Sequence, residues 1–143
     1  MNHAGAINAV QQYKKMGIST EIESASPHRL IQMLMDGALG KIAIAKAHMT
    51  EGNLGKKAQN LTWAISIIDG LRISLDKEAG GDIAQNLEAL YDYMSRRLMQ
   101  ANVSNDVTIL DEITSLMLEI KGAWDQIPES AKNIRPPMDQ RPA

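Results

Sequence analysis

The chain contains no cysteine. That absence excludes a disulfide scaffold, a thiolate zinc site, an iron–sulfur cluster and a thiol nucleophile. Phenylalanine is missing as well, and the five aromatic residues are Trp63, Trp124, Tyr13, Tyr91 and Tyr93, so a core built on large rings is excluded. No apolar run is longer than four residues, Ile42 to Ala45, whereas a transmembrane helix needs about 20. Membrane insertion is therefore not expected. The start, Met1-Asn2-His3-Ala4-Gly5, lacks the basic region and apolar stretch of a secretory signal. Charge of one sign is also lacking: 15 basic and 17 acidic residues leave a net −2. Such a balance offers no strong attraction to phosphate, so nucleic acid is not an expected partner.

What the 143 residues do hold is aliphatic: 44% are hydrophobic and nine are methionine, enough for one self-standing core. From Leu30 to Ile127 the apolar residues recur at three- and four-residue spacing without sustained alternation, so the spacing predicts helix throughout. Ser26-Pro27 opens the first helix, with Ser capping a free N–H and Pro at a position whose hydrogen bond is absent anyway. This helix should run to about Thr50, where Gly52 ends it and Asn53 caps a second helix carrying Leu61, Ala64, Ile65, Ile68, Leu71 and Leu75. Gly80-Gly81 then breaks the chain, and Asp82 with Gln85 forms a capping box for a third helix striped by Ile83, Leu87, Leu90, Met94, Leu98 and Ala101. Asn102 to Asp106 reads as a short turn. Asp106 caps a fourth helix with Leu110, Ile113, Met117, Ile120, Trp124 and Ile127 on one face, stopped by Pro128.

Connections this short force neighbouring helices to be antiparallel. The expected architecture is an all-α, up-down-up-down four-helix bundle over residues 26–127. Residues 1–25 form a separate N-terminal cap segment and linker, with an amphipathic stretch, Ile7, Val10 and Tyr13, that needs a surface to dock on. Residues 128–143 carry Pro136, Pro137 and Pro142 among charges and read as a disordered tail.

Catalytic chemistry is not evident. Bundle cores hold di-iron sites through Glu-x-x-His pairs, and no Glu here has a His three residues on. His3, His28 and His48 are scattered and read as solvated side chains, and the acidic pairs Glu88/Asp92 and Asp111/Glu112 fall on outer helix faces with no pocket-forming loop beside them. Gly80-Gly81 follows a helix rather than a strand, so no phosphate loop is implied. Arg96-Arg97 and Lys56-Lys57 lack interleaved aromatics and read as solvated. The chain is expected to be no enzyme and to carry neither metal nor cofactor.

Its excess is apolar surface. Thirteen of the twenty residues from Leu30 to Met49 are apolar, more than one seam between two helices uses. The fourth helix adds a second row, Ile109, Leu116 and Ala123, and the second adds Trp63 and Ile67. Two uses compete for it. Helices touching two neighbours carry wide apolar faces, with methionine filling gaps; alternatively a groove stays open for a partner helix, which repacking methionines suit. A homo-oligomer would absorb the same surface.

An ordered set of phrases decides between families. Ser24-Ala25-Ser26-Pro27-His28-Arg29-Leu30-Ile31, Met33-Leu34-Met35-Asp36-Gly37-Ala38 and Ala64-Ile65-Ser66-Ile67-Ile68-Asp69-Gly70-Leu71 come first. They are followed by Leu75 to Ala84, Asn86-Leu87, Leu90-Tyr91-Asp92-Tyr93-Met94, Arg96-Arg97-Leu98, Ala101-Asn102 and Ala123-Trp124. Taken in order, these resemble the flagellar secretion chaperone FliS family over about residues 5 to 127.

The resemblance implies a cytoplasmic, non-enzymatic chaperone that holds the otherwise disordered C-terminal region of flagellin in hydrophobic grooves. It would prevent premature polymerisation and bring the complex to the flagellar export gate. In the family the N-terminal segment occupies part of the client groove until displaced, which places Ile7 and Val10 in that cap. Val10 stands where the family usually has Tyr, and Met35 where it has an aromatic. The apolar residues assigned to the groove are Leu30, Ile31, Leu34, Met35, Leu39, Ile109 and Leu116. The competing reading is a structural bundle whose surplus surface serves only to form a homodimer or larger homo-oligomer.

Overall fold

The computed structural model describes residues 24–126, and these form four helices with no strand among them. Helix α1 spans Pro27–Glu51, α2 Leu54–Ile73, α3 Lys77–Ser104 and α4 Val107–Asp125. The Ser26 hydroxyl accepts the Arg29 N–H at 3.1 Å, and Pro27 occupies the first helical position. At the other end of α1, Gly52 takes φ 81° and ψ 13°, a left-handed conformation that any side chain would strain. The chain then restarts at once, with the Asn53 side chain accepting the Lys56 N–H at 3.2 Å. Asp106 caps α4 through the Thr108 N–H at 2.9 Å.

The third helix differs from the sequence expectation. Its cap is Asp76, not Asp82: the Asp76 carboxylate accepts the Ala79 N–H at 3.0 Å, and helix continues from Lys77. Gly81, at φ 54° and ψ −131°, makes a kink inside α3 instead of a loop between helices. The turn Leu75-Asp76 already reverses the chain, so the glycine pair is not needed for that. The Asn102–Asp106 turn is likewise shorter than expected, because α3 runs to Ser104 and a left-handed Asn105 at φ 52° ends it.

Cross-helix contacts fix the directions. Gln32 near the start of α1 donates to Asp125 at the end of α4 (2.6 Å), while Lys46 near the end of α1 pairs with Asp111 near the start of α4 (2.7 Å). Lys57 at the start of α2 reaches Asn102 and Asn105 at the end of α3, and Asp69 farther along α2 accepts from Ser95 at 2.9 Å. Both pairs are antiparallel, as is α3 against α4, where Tyr93 and Arg97 meet Glu112. Each helix packs on its neighbours in sequence and α4 closes on α1, with the α1–α2 seam the most extensive and α3–α4 the sparsest. The up-down-up-down bundle is thereby shown.

The core is aliphatic and thioether-rich. Leu34, Met35, Ile42, Leu61, Ile67, Ile68, Leu71, Met94, Leu98, Leu110, Ile113 and Met117 are all enclosed, each Leu or Ile contributing on the order of 1.5–3 kcal/mol by burial. The stripe expected on α3 loses its first member: Ile83 is 68% exposed, and Ala84 faces inward in its place.

Candidate partner-binding site

Polar ties clamp most of the seams between helices. Between α1 and α4, Gln32–Asp125, Lys46–Asp111 and Lys121–Asp36 (3.6 Å) span the length of the contact. At one end the His28 ring stacks on Trp124, centroids 4.6 Å apart and planes within 7°, and the Trp124 indole N–H donates to the His28 carbonyl at 3.1 Å. Between α3 and α4, Glu112 accepts from the Tyr93 hydroxyl and from the Arg97 Nε and Nη2 at 3.1 and 2.9 Å. The Tyr93 hydrogen bond, and then Arg97, hold the Glu112 carboxyl below its ordinary 4.5. The α1–α2 seam carries the Lys41 ammonium 4.3 Å above the Trp63 ring.

The α2–α3 seam carries polar ties at two levels. At one, Lys57, 4% exposed, donates to the Asn102 carbonyl (2.8 Å) and the Asn105 Oδ1 (2.6 Å). At the other, Ser95 donates to Asp69, which the Arg72 Nε approaches to 4.0 Å. Between them the helices leave a groove of about 400 Å³ lined by Leu61, Thr62, Ile65, Ser66, Met99, Asn102 and Val103. Leu61 closes its floor, whereas Met99 is 49% exposed and Val103 86% exposed on one wall. Two residues four apart on α3 thus present apolar surface to solvent, backed by apolar Ile65 across the seam. One turn before Met99, Arg96 is engaged by Asp92 at 3.0 Å, and no charged side chain is among the residues lining the groove. The arrangement suits an apolar helix face. Among the described residues no cluster of His, Asp and Glu has the make-up of a metal site, and no helix is long and apolar enough to cross a membrane.

Comparison with known proteins identifies the family. The family model described as "Flagellar protein FliS" matches residues 8–131. The chain is 46% identical over 122 residues to the flagellar secretion chaperone FliSB of Pseudomonas aeruginosa, a match covering 85% of this chain and 97% of that protein. It is 44% identical over 126 residues to flagellar secretion chaperone FliS of Vibrio cholerae (88% and 93% covered), and 41% identical over 134 residues to that of Escherichia coli (93% and 98% covered). The chain belongs to the FliS family. FliS proteins are flagellar secretion chaperones and not enzymes, which removes any need to find catalytic work for the acidic pairs.

Within this FliS-family bundle the nine residues assigned to the partner site divide three ways. Ile7 and Val10 lie outside the described residues. Leu34, Met35 and Ile109 are enclosed, Met35 at 1% exposure, so a partner reaches them only if the helices part. Leu30, Ile31, Leu39 and Leu116 are half-buried, packed on the core from its edge. None of the seven described residues lines the α2–α3 groove. Met99 lies off the stripe expected on the third helix and Val103 falls in the expected Asn102–Asp106 turn, so the sequence assigns neither to a site; in α3, which continues to Ser104, they share a face with Arg96 and Asp92. Two polar side chains also depart from expectation. His28 is buried against Trp124 and not solvated, and Lys57 is buried as the donor that satisfies the C-terminal end of α3.

Proposed function

We propose that the chain is a cytoplasmic chaperone that holds the C-terminal region of flagellin, preventing premature polymerisation until the complex reaches the flagellar export gate. The observation that carries this reading is the uncovered apolar wall of the α2–α3 groove, Met99 and Val103, in a chain of a secretion-chaperone family. From Lys57 to Asp69, twelve residues at 1.5 Å rise give about 18 Å of seam, the length of about three helical turns of client. A disordered client that folds into this groove spends ordering entropy and offsets it by burying apolar surface. Neither ATP nor chemistry by the chaperone is required. Half-buried Leu30, Ile31, Leu39 and Leu116 supply further apolar positions along the client path, and the N-terminal segment with Ile7 and Val10 competes with the client.

Titration of the full chain with a flagellin C-terminal peptide tests the proposal. The expected result is one-to-one binding with a negative heat-capacity change, at least as tight after removal of residues 1–17. Absence of binding in both forms overturns it. A partner-free chain that is dimeric by light scattering and binds no flagellin peptide supports the homo-oligomer instead, through the same exposed Met99 and Val103.

A further inference from the structure

Six of the nine methionines lie among the described residues, and their surroundings differ sharply. Met33, Met35, Met94 and Met117 are enclosed in the core, and Met49 packs half-buried against it. Met99 alone of these six is exposed, and it lines the α2–α3 groove beside Leu61, Ile65 and Val103. A thioether is oxidised according to the access an oxidant has to its sulfur, and the product is a polar, chiral sulfoxide in place of a flexible apolar group. Access and consequence therefore coincide at one residue: among the described residues, the most exposed methionine is the one that makes a groove wall apolar.

We propose that Met99 is an oxidation site through which hydrogen peroxide turns the α2–α3 groove from apolar to polar and weakens its hold on a client. A lone pair on the Met99 sulfur attacks one peroxide oxygen; the S–O bond forms as the O–O bond breaks, and the departing hydroxide takes up the proton shed by the transferred oxygen. Sulfur gives up two electrons, peroxide is reduced, and one water leaves. While the groove is open, water and the polar lining of Thr62, Ser66 and Asn102 accommodate the new S–O dipole. Under an apolar client helix the dipole is taken from water without a partner, so the complex is penalised more than the free chaperone. The fold is spared, because the enclosed methionines meet oxidant only when the bundle opens. The site itself follows from the structure, whereas the effect on the client rests on the flagellin reading above.

The test exposes the full-length chain to hydrogen peroxide and follows each methionine by peptide mass mapping. Met99 sulfoxide is expected to form at least about ten times faster than the sulfoxides of Met33, Met35, Met94 and Met117. Oxidised chain should bind a flagellin C-terminal peptide roughly tenfold more weakly, with affinity restored by methionine sulfoxide reductases A and B. Met99→Leu, whatever its starting affinity, should bind equally before and after the same treatment, which assigns the loss to Met99 and not to Met1, Met16 or Met138. Oxidation of Met99 no faster than Met94, or equal binding losses in wild type and Met99→Leu, overturns the proposal. If untreated chain binds no flagellin peptide, the docking reading fails by itself. The mass map and the methyl resonances of Leu61, Ile65 and Val103 then decide the oxidation site, which stands if Met99 reacts first and those methyls shift, and falls otherwise.

Discussion

Lys57 shows how much one side chain contributes to this bundle. Its ammonium is buried, satisfied by a backbone carbonyl and a side-chain amide oxygen that both belong to the end of α3. Lys57→Met keeps the aliphatic stem but leaves those two acceptors without their donor, and should cost about 1–3 kcal/mol in urea unfolding. An unchanged midpoint would mean that water replaces the ammonium without loss. Charge acts more weakly at Glu112, Asp106 and Asp125, which are held below their ordinary values of 4.5, 3.8 and 3.8 by hydrogen bonds, from Tyr93, Thr108 and Lys121 respectively. A carboxyl lowered by folding stabilises the native state above its unfolded value, and that contribution disappears as pH falls through the lowered native value. Stability should therefore decline as pH drops below about 4.5, and Glu112→Gln should flatten the upper part of the decline in urea midpoints measured from pH 6 to pH 3. An identical profile for the variant would remove Glu112 from the account.

Among the elements, helix boundaries were legible wherever a cap and a breaker stood together. Ser26-Pro27, Gly52-Asn53 and Asp106 each do in the structure what their side-chain chemistry dictates. The third helix was less legible, since Asp76 and Asp82 are both competent caps and only the tertiary position of the turn after α2 selects Asp76. Gly81 then sits within a helix at φ 54° and ψ −131°, a combination open almost solely to glycine. Gly81→Ala should destabilise the bundle by about 1–3 kcal/mol although an added Cβ meets nothing there. A neutral result would show that the segment before Gly81 readily adopts another path. Ile83 teaches a related point: helical period places it on the stripe, but period alone says nothing about whether a neighbour stands opposite at that level.

For the whole molecule, the sequence made fold and surplus apolar surface visible but not where that surplus lies. Density of apolar residues pointed to α1, yet α1 spends its excess on contacts with both α2 and α4, which is why Leu34 and Met35 are enclosed. The exposed apolar surface that lines a groove arises instead on α3, where apolar residues are less dense but Met99 and Val103 have no facing helix, whereas the exposed Ile44 of α1 lies outside that groove. Only the bundle's cyclic packing reveals that difference. The central claim, that this groove receives the client, is tested most directly by calorimetric titration of a flagellin C-terminal peptide into wild type and Val103→Glu. Val103 is too exposed for the change to affect folding much, so the variant should keep the melting temperature of wild type while binding at least about tenfold more weakly, a charge being desolvated under the apolar client. Equal affinity for the two proteins, both folded, would contradict it.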